Sequence, residues 1–210
     1  MNTDHWFLLA YWILFSGIHH VMATENFKSF SRRTMGNKYK YYRLIYSLIA
    51  FFTLGLVLNR QLTITSPLAN INPWLRFLLG FPMGVAGLTL MFLSMQKYFL
   101  NLSGIGIFFP DKPLSSLEIR GVHRLVRHPL YLGTLLFTWS LLFLFPYLSN
   151  LLACVAITIY TIVGIRSEER KLFAVYGAEY SGYCKNTPRL IPDFPTFKKI
   201  KDPTQYANSS

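Results

Sequence analysis

Gly121-Val122-His123-Arg124-Leu125-Val126-Arg127-His128-Pro129-Leu130-Tyr131-Leu132-Gly133 is the stretch on which the reading of this chain turns. It sets four basic side chains, His123, Arg124, Arg127 and His128, directly before an apolar run over residues 130–145. Pro129 has a fixed φ and no amide hydrogen, so it suits the first turn of a helix and marks where that helix starts. The helix start adds partial positive charge and free amide donors. An anion held there would meet the dipole, Arg127 and His128 together.

Outward from this stretch, Phe145-Pro146-Tyr147-Leu148-Ser149-Asn150 makes a short hairpin, and a second apolar run over residues 148–165 ends in Arg166-Ser167-Glu168-Glu169-Arg170-Lys171. The hairpin returns the acidic pair Glu168-Glu169 to the level of the basic stretch. Three earlier apolar blocks cover residues 6–23, 42–58 and 74–93. Each block is close to the roughly 17–25 residues needed to cross a bilayer. The expected fold is all-α: a polytopic membrane protein with about five transmembrane helices and a cytoplasmic C-terminal helical segment. Among 210 residues, 52% are hydrophobic and 14% charged, which is unusual for a soluble domain.

The net charge of +12 raises nucleic acid as a partner, and the distribution of charge argues against it. With five spans, all of the 21 Lys and Arg residues except Arg60 and Arg76 fall on one side. The positive-inside rule then puts the N-terminus outside and the C-terminus in the cytoplasm, as expected for a bacterial inner-membrane protein. The start, Met1-Asn2-Thr3-Asp4-His5, lacks the basic region of a cleavable signal, so the first apolar block is expected to stay as an anchor. Cys154 within a span and Cys184 in the tail are poor disulfide partners and form no Cys-x-x-Cys spacing. No metal-ligand set is apparent.

His19-His20 closes the first span and reads as interfacial polar groups. To be catalytic, these histidines would have to face the later site across the bundle. A polar, basic loop with Gly36-Asn37 follows, and Tyr39, Tyr41, Tyr42 and Arg43 anchor the next span at headgroup level. Gly80, Gly84 and Gly87 leave one side of the third span small for close helix approach, and Pro82 is expected to add a kink. Residues 101–118 are apolar in part yet too short to span, and read as an interfacial segment or a lid dipping into the bundle. After the acidic pair, Phe173, Tyr176, Tyr180 and Tyr183 recur at helical spacing with Gly177 interrupting, which predicts an amphipathic piece on the cytoplasmic face. Residues 196–210 read as disordered. The chain thus divides into N-terminal helices over 1–115, a core over 116–195 and a tail over 196–210.

Taken singly, the basic cluster reads as topology and the acidic pair as charge compensation. Their meeting at adjacent helix ends is harder to explain that way, because carboxylates at a membrane edge are costly. A zwitterion carrying a hydroxyl-rich sugar suits the arrangement. Arg127, His128 and helix-start amides could hold a carboxylate, Glu168 an ammonium or ribose hydroxyls, and Tyr131 a cation or an aromatic base. S-adenosylmethionine has these parts, though they are not unique to it.

Gly121-x-His123-Arg124-x-Val126-Arg127-His128-Pro129-x-Tyr131-x-Gly133, then Glu168-Glu169, Gly177-x-x-Tyr180-x-x-Tyr183 and Pro188 resembles the isoprenylcysteine carboxyl methyltransferase-like superfamily of integral-membrane methyltransferases. Tyr160-Thr161-Ile162-Val163-Gly164-Ile165-Arg166-Ser167-Glu168-Glu169-Arg170 is most similar to its methanethiol S-methyltransferase branch. The resemblance implies S-adenosylmethionine in a cytoplasm-facing pocket, contacted by His128, Pro129, Leu130 and Tyr131, with Arg127 beside them and Glu168 opposite. His123 stands where the family commonly carries tyrosine. Leu117, within residues 115–118, would border the adenine, and Arg166 and Glu169 would serve the catalytic side. The expected acceptor is a small or lipophilic thiol like methanethiol. The alternatives are carboxyl methylation of a prenylcysteine-like substrate, or a non-catalytic accessory protein. Attack on the sulfonium methyl would be accelerated chiefly by alignment and desolvation, with Arg166 or His123 favouring the thiolate. The bilayer is the expected environment, and the sequence carries no signal of oligomeric state.

Overall fold

The computed structural model describes residues 2–103, 117 and 119–192, with the backbone alone for 97–103. Helix α1, Thr3–Ala23, starts at Asn2, whose side chain accepts the His5 amide. Thr24 ends α1 and caps α2, Glu25–Met35, by accepting the Phe27 amide at 3.4 Å. The segment expected to be a basic loop is therefore a helix. Its charged composition hid it from a search for apolar blocks, while the Thr24 cap and the Phe27–Phe30 pair carried the helical signal. Gly36, at φ 51, ends α2, and a 3-10 turn over Gly36–Tyr41 leads into α3, Tyr42–Leu62.

Helices α4, Pro73–Ser103, α5, Pro129–Leu144, and α6, Leu148–Asn186, follow among the described residues. Pro82 lies inside α4, and residues 101–103, expected in the irregular segment, continue that helix. The rest of the proposed lid, residues 104–116 and 118, lies outside the described residues, as does the tail expected to be disordered.

Among the described residues, four helical stretches are long and apolar enough to cross a membrane: Thr3–Ala23, Glu25–Leu62, Pro73–Gln96 and Leu148–Asn186. Helix α5 is apolar but has only 16 residues, about 24 Å at the α-helical rise against a hydrocarbon core of about 30 Å. Large apolar side chains point outward: Phe51 is 80% exposed, Leu62 81% and Trp74 83%. Such a surface is matched to lipid and not to water. The chain is a helical integral membrane protein.

The buried core gathers Leu8, Trp12, Val57, Ile64 and Ala153 where α1, α3 and α6 meet. Trp12 Nε1 donates to Gln61 Oε1 at 3.2 Å, and the Gln61 amide donates to Asn150 Oδ1 at 2.9 Å, tying the same three helices together at one end. Residues 66–68 pair with the α5–α6 hairpin through Leu68 N to Pro146 O at 2.7 Å and Leu148 N to Ser66 O at 2.9 Å.

Helices α4 and α5 approach through glycines. A Cβ on Gly87 would stand 2.6 Å from Phe137 N and 2.8 Å from Gly133 O, and one on Gly133 would stand 2.8 Å from Gly87 O. The small side expected of the third span is thus the surface on which α5 lies, with its closest approach at Gly87. Gly87→Ala is expected to push the helices apart and destabilise the protein by about 1–3 kcal/mol, read as a lower melting temperature in detergent. Gly55→Ala, where an added Cβ meets nothing within 4 Å, provides the control.

Trp139 Nε1 donates to Thr158 Oγ1 at 3.2 Å across the α5–α6 hairpin, which sets the start of α5 level with Gly164 and Glu168 of α6. Gly177, at φ 48 and ψ −116, breaks α6. A residue bearing a Cβ is strained in that conformation.

Candidate functional site

The turn ahead of α5 is fastened to the far end of α6. Gly121, at φ 61, opens a 3-10 turn over Gly121–Arg124, and the Tyr183 hydroxyl donates to the His123 carbonyl at 2.6 Å. Beyond the break at Gly177, Tyr180 is fully buried with its ring edge-on to Phe173 at 4.7 Å. The chain leaving α6 then pairs with the entry to α5. Arg127 N donates to Pro188 O at 2.9 Å and His128 N to Arg189 O at 3.2 Å. These bonds carry the Arg127, His128 and Arg189 side chains to one point on α6.

That point is Glu169, which is buried. The Arg189 guanidinium grips it as a fork, Nε donating to Oε1 at 3.1 Å and Nη2 to Oε2 at 2.6 Å. Arg127 Nη2 lies 3.3 Å from Oε1, as does His128 Nε2. Arg127 Nη1 also donates to Cys184 Sγ, while Arg127 Nε is buried with no partner among the described residues. A carboxylate with three basic neighbours has little capacity left for a ligand.

Glu168 differs. Consecutive residues on an α-helix point about 100° apart, so Glu168 turns from the arginines toward α5. Its side chain is 46% exposed, its Oε2 lies 3.8 Å from His128 Nδ1, and Tyr131 stands in its neighbourhood. Burial holds the His128 imidazole below its ordinary range, against the opposite pull of Glu168 and Glu169. In the neutral tautomer that donates Nε2–H to Glu169, Nδ1 carries a lone pair facing the Glu168 carboxylate. In that tautomer two acceptors stand 3.8 Å apart, a place for a donor group between them.

Other residues singled out from the sequence take up separate places. Pro129 is buried at the first position of α5, and the half-buried Leu130 accepts the Thr134 hydroxyl on its carbonyl at 2.9 Å. The Tyr131 ring lies 5.7 Å from that of His128, and its hydroxyl occupies space that Gly164 leaves open, 3.6 Å from where a Cβ would be. His123 is half-buried and joined to the cluster through its carbonyl. Leu117 is half-buried at the margin of the described residues. Arg166 is exposed, and among the described residues no carboxylate lies within ion-pair distance of it. The sequence reading gave Arg189 no place at the site, weighed Cys184 only as a disulfide partner, and took Tyr180 only as part of the tail and its motif. A buried carboxylate calls for cations, and Arg189, next to the quoted Pro188, was the signal available.

A sequence profile described as NnrU protein matches residues 7–193. The chain belongs to the NnrU protein family. The match takes in Glu168, Glu169, His128 and Arg189, so the whole cluster lies inside the NnrU region. Over a similar extent the chain is similar to a methanethiol S-methyltransferase of Crocosphaera subtropica, 26% identical over 185 residues, covering 85% of this chain and 71% of that protein. A methanethiol S-methyltransferase of Mycobacterium tuberculosis is 26% identical over 190 residues, covering 85% and 74%. Methanethiol S-methyltransferase 2 of Bradyrhizobium diazoefficiens is 40% identical over 73 residues, 34% of this chain and 27% of that protein. No solved structure matches the chain. The resemblance drawn from residues 121–133 and 160–170 agrees with these relatives of the NnrU chain.

Proposed function

We propose that this chain is a membrane methyltransferase that takes its methyl group from S-adenosylmethionine and gives it to a small thiol of the methanethiol kind. The observation that carries this reading is the approach of His128 Nδ1 and Glu168 Oε2, 3.8 Å apart, beside a buried donor, Arg127 Nε, that has no partner among the described residues. An ammonium or a ribose hydroxyl suits the acceptors, a carboxylate suits Arg127 and the amides at the start of α5, and the Tyr131 ring can face a sulfonium or a base. The residues present therefore fit the donor. The names of the similar proteins point to the same activity and to the acceptor.

When bound, the donor supplies a methyl group on a cationic sulfur, which a thiolate can displace. The chain's part is to hold and orient. Glu169 locks Arg127, His128 and Arg189 in place, leaving Glu168 and His128 Nδ1 to bind, while the apolar helix walls exclude water. In this reading α5 is a fifth, short span. The basic segments then put the site on the cytoplasmic side of a bacterial inner membrane, with the N-terminus outside.

Purified protein mixed with labelled S-adenosylmethionine should bind it saturably and pass the label to methanethiol. Absence of binding would sink the proposal, and transfer to a farnesylcysteine analogue but not to methanethiol would move the acceptor class.

A further inference from the structure

The segment between α1 and α3 carries charge that the Glu169 cluster does not use. Thr24, at ψ 149, breaks the chain out of α1, so α2 leaves the end of one span while Tyr42 opens the next. Between them lie Lys28, Arg32, Arg33, Lys38 and Lys40, with Arg43 just beyond, against the single acid Glu25. Glu25 is already paired, with Lys28 at 3.0 Å and with Lys171 at 2.9 Å. Arg32, Arg33, Lys38, Lys40 and Arg43 are all exposed, and among the described residues no carboxylate lies within ion-pair distance of them.

The fold gathers these cations. One face of α2 packs inward, where Ser31 is buried and the Phe27 ring lies 6.4 Å from that of Tyr42. The Tyr42 hydroxyl donates to the Met22 carbonyl at the end of α1, and Tyr39 stacks on Tyr42 at 5.3 Å. The 3-10 turn is thereby folded back on α2, with the Arg32 guanidinium 4.9 Å over the Tyr39 ring and the Lys40 ammonium 5.1 Å over that of Tyr41. Away from the packed face α2 carries Phe30, 63% exposed, with the exposed Arg33 one turn on. An exposed aromatic ring flanked by cations suits the bilayer boundary, where the ring enters the acyl region and the cations stay with the headgroups. The position at the ends of two spans favours lipid over a soluble acidic partner, which would have to displace headgroups to reach Phe30.

We propose that α2 and the turn after it form a docking surface for anionic phospholipid, with Arg32, Arg33, Lys38 and Lys40 taking the phosphates and Phe30 the adjoining acyl chains. Fixed charge of one sign, unmatched within the protein, is relieved by opposite charge at headgroup level. The surface is independent of the methyltransferase reading and stands or falls without it.

The test uses the purified full chain. In neutral detergent, short-chain phosphatidylglycerol and phosphatidylcholine are titrated and the bound lipid is counted by native mass spectrometry. In nanodiscs of phosphatidylcholine with or without phosphatidylglycerol, amide hydrogen exchange is followed along α2. Phosphatidylglycerol should bind saturably and more tightly than phosphatidylcholine, less so as salt rises, and the α2 amides should exchange more slowly where it is present. Arg32→Gln with Arg33→Gln should weaken phosphatidylglycerol binding on the order of 10-fold. Arg170→Gln with Lys185→Gln, both exposed on α6, should leave it unchanged. Equal binding of the two lipids by wild type, or α2 exchange indifferent to phosphatidylglycerol, overturns the inference with no variant needed. Equal losses in the two double variants overturn it as well. So does full competition by inorganic phosphate or polyglutamate, which would assign the surface to free anions or to an acidic protein.

Discussion

Glu169→Gln is expected to be the most damaging single change in this cluster, lowering the melting temperature of the detergent-solubilised protein by about 10 °C. The buried carboxylate has Arg127, His128 and the Arg189 fork on its two oxygens. A glutamine of nearly the same shape keeps the volume and removes the charge, leaving two guanidiniums without a counter-ion. Breaking a buried pair in this way typically costs about 3–5 kcal/mol. Arg189→Gln should do less harm, since the Arg189 side chain is 52% exposed and water can replace part of what is lost. A Glu169→Gln protein that melts within about 2 °C of wild type would mean that the cluster is solvated and that its geometry does not hold the turn ahead of α5.

The adjacent substitution should behave in the opposite way. Glu168→Gln is expected to leave the melting temperature nearly unchanged, because its carboxylate is 46% exposed and its contact with His128 Nδ1 is long, at 3.8 Å. Its effect should fall on S-adenosylmethionine affinity, which is expected to drop about 10- to 100-fold, the worth of one hydrogen bond to a charged group. Glu179→Gln, exposed further along α6, serves as the control. Glu25 is less suitable, because it is paired with Lys171 of α6 at 2.9 Å. A titration in which Glu168→Gln and Glu179→Gln bind the donor equally would remove Glu168 from the site. Stability lost at one residue and binding lost at its neighbour would be a signature that a loosely structured acidic patch could not give.

The sequence made most of the helices legible because lipid demands continuous apolar runs, and the blocks at 6–23, 42–58 and 130–145 lie within a few residues of α1, α3 and α5. It hid α2, where a capped amphipathic helix carries too much charge to stand out from a loop. The meeting of the basic stretch with the acidic pair followed from a hairpin too short to allow anything else. Which carboxylate met the cations did not, since neighbours on a helix diverge by about 100° and only the packing of α5 on α6 fixes the rotation. Arg189 was hidden for a related reason. Its approach to Glu169 depends on the break at Gly177 and on backbone bonds to residues 127 and 128, which no spacing rule encodes.

The fork from Arg189 also bears on how the protein is made. Arg127 and His128 precede Glu169 in the chain, whereas Arg189 follows it by 20 residues. Until residues 188 and 189 have paired with 127 and 128, the hairpin of α5 and α6 holds its acidic residue with only the earlier basic pair for company. The tail's chelating grip closes the cluster from outside the hairpin and works as a clasp. A chain cut short before residue 189 would carry an ill-neutralised carboxylate at the membrane edge, marking it as unfinished to any protease that surveys that surface.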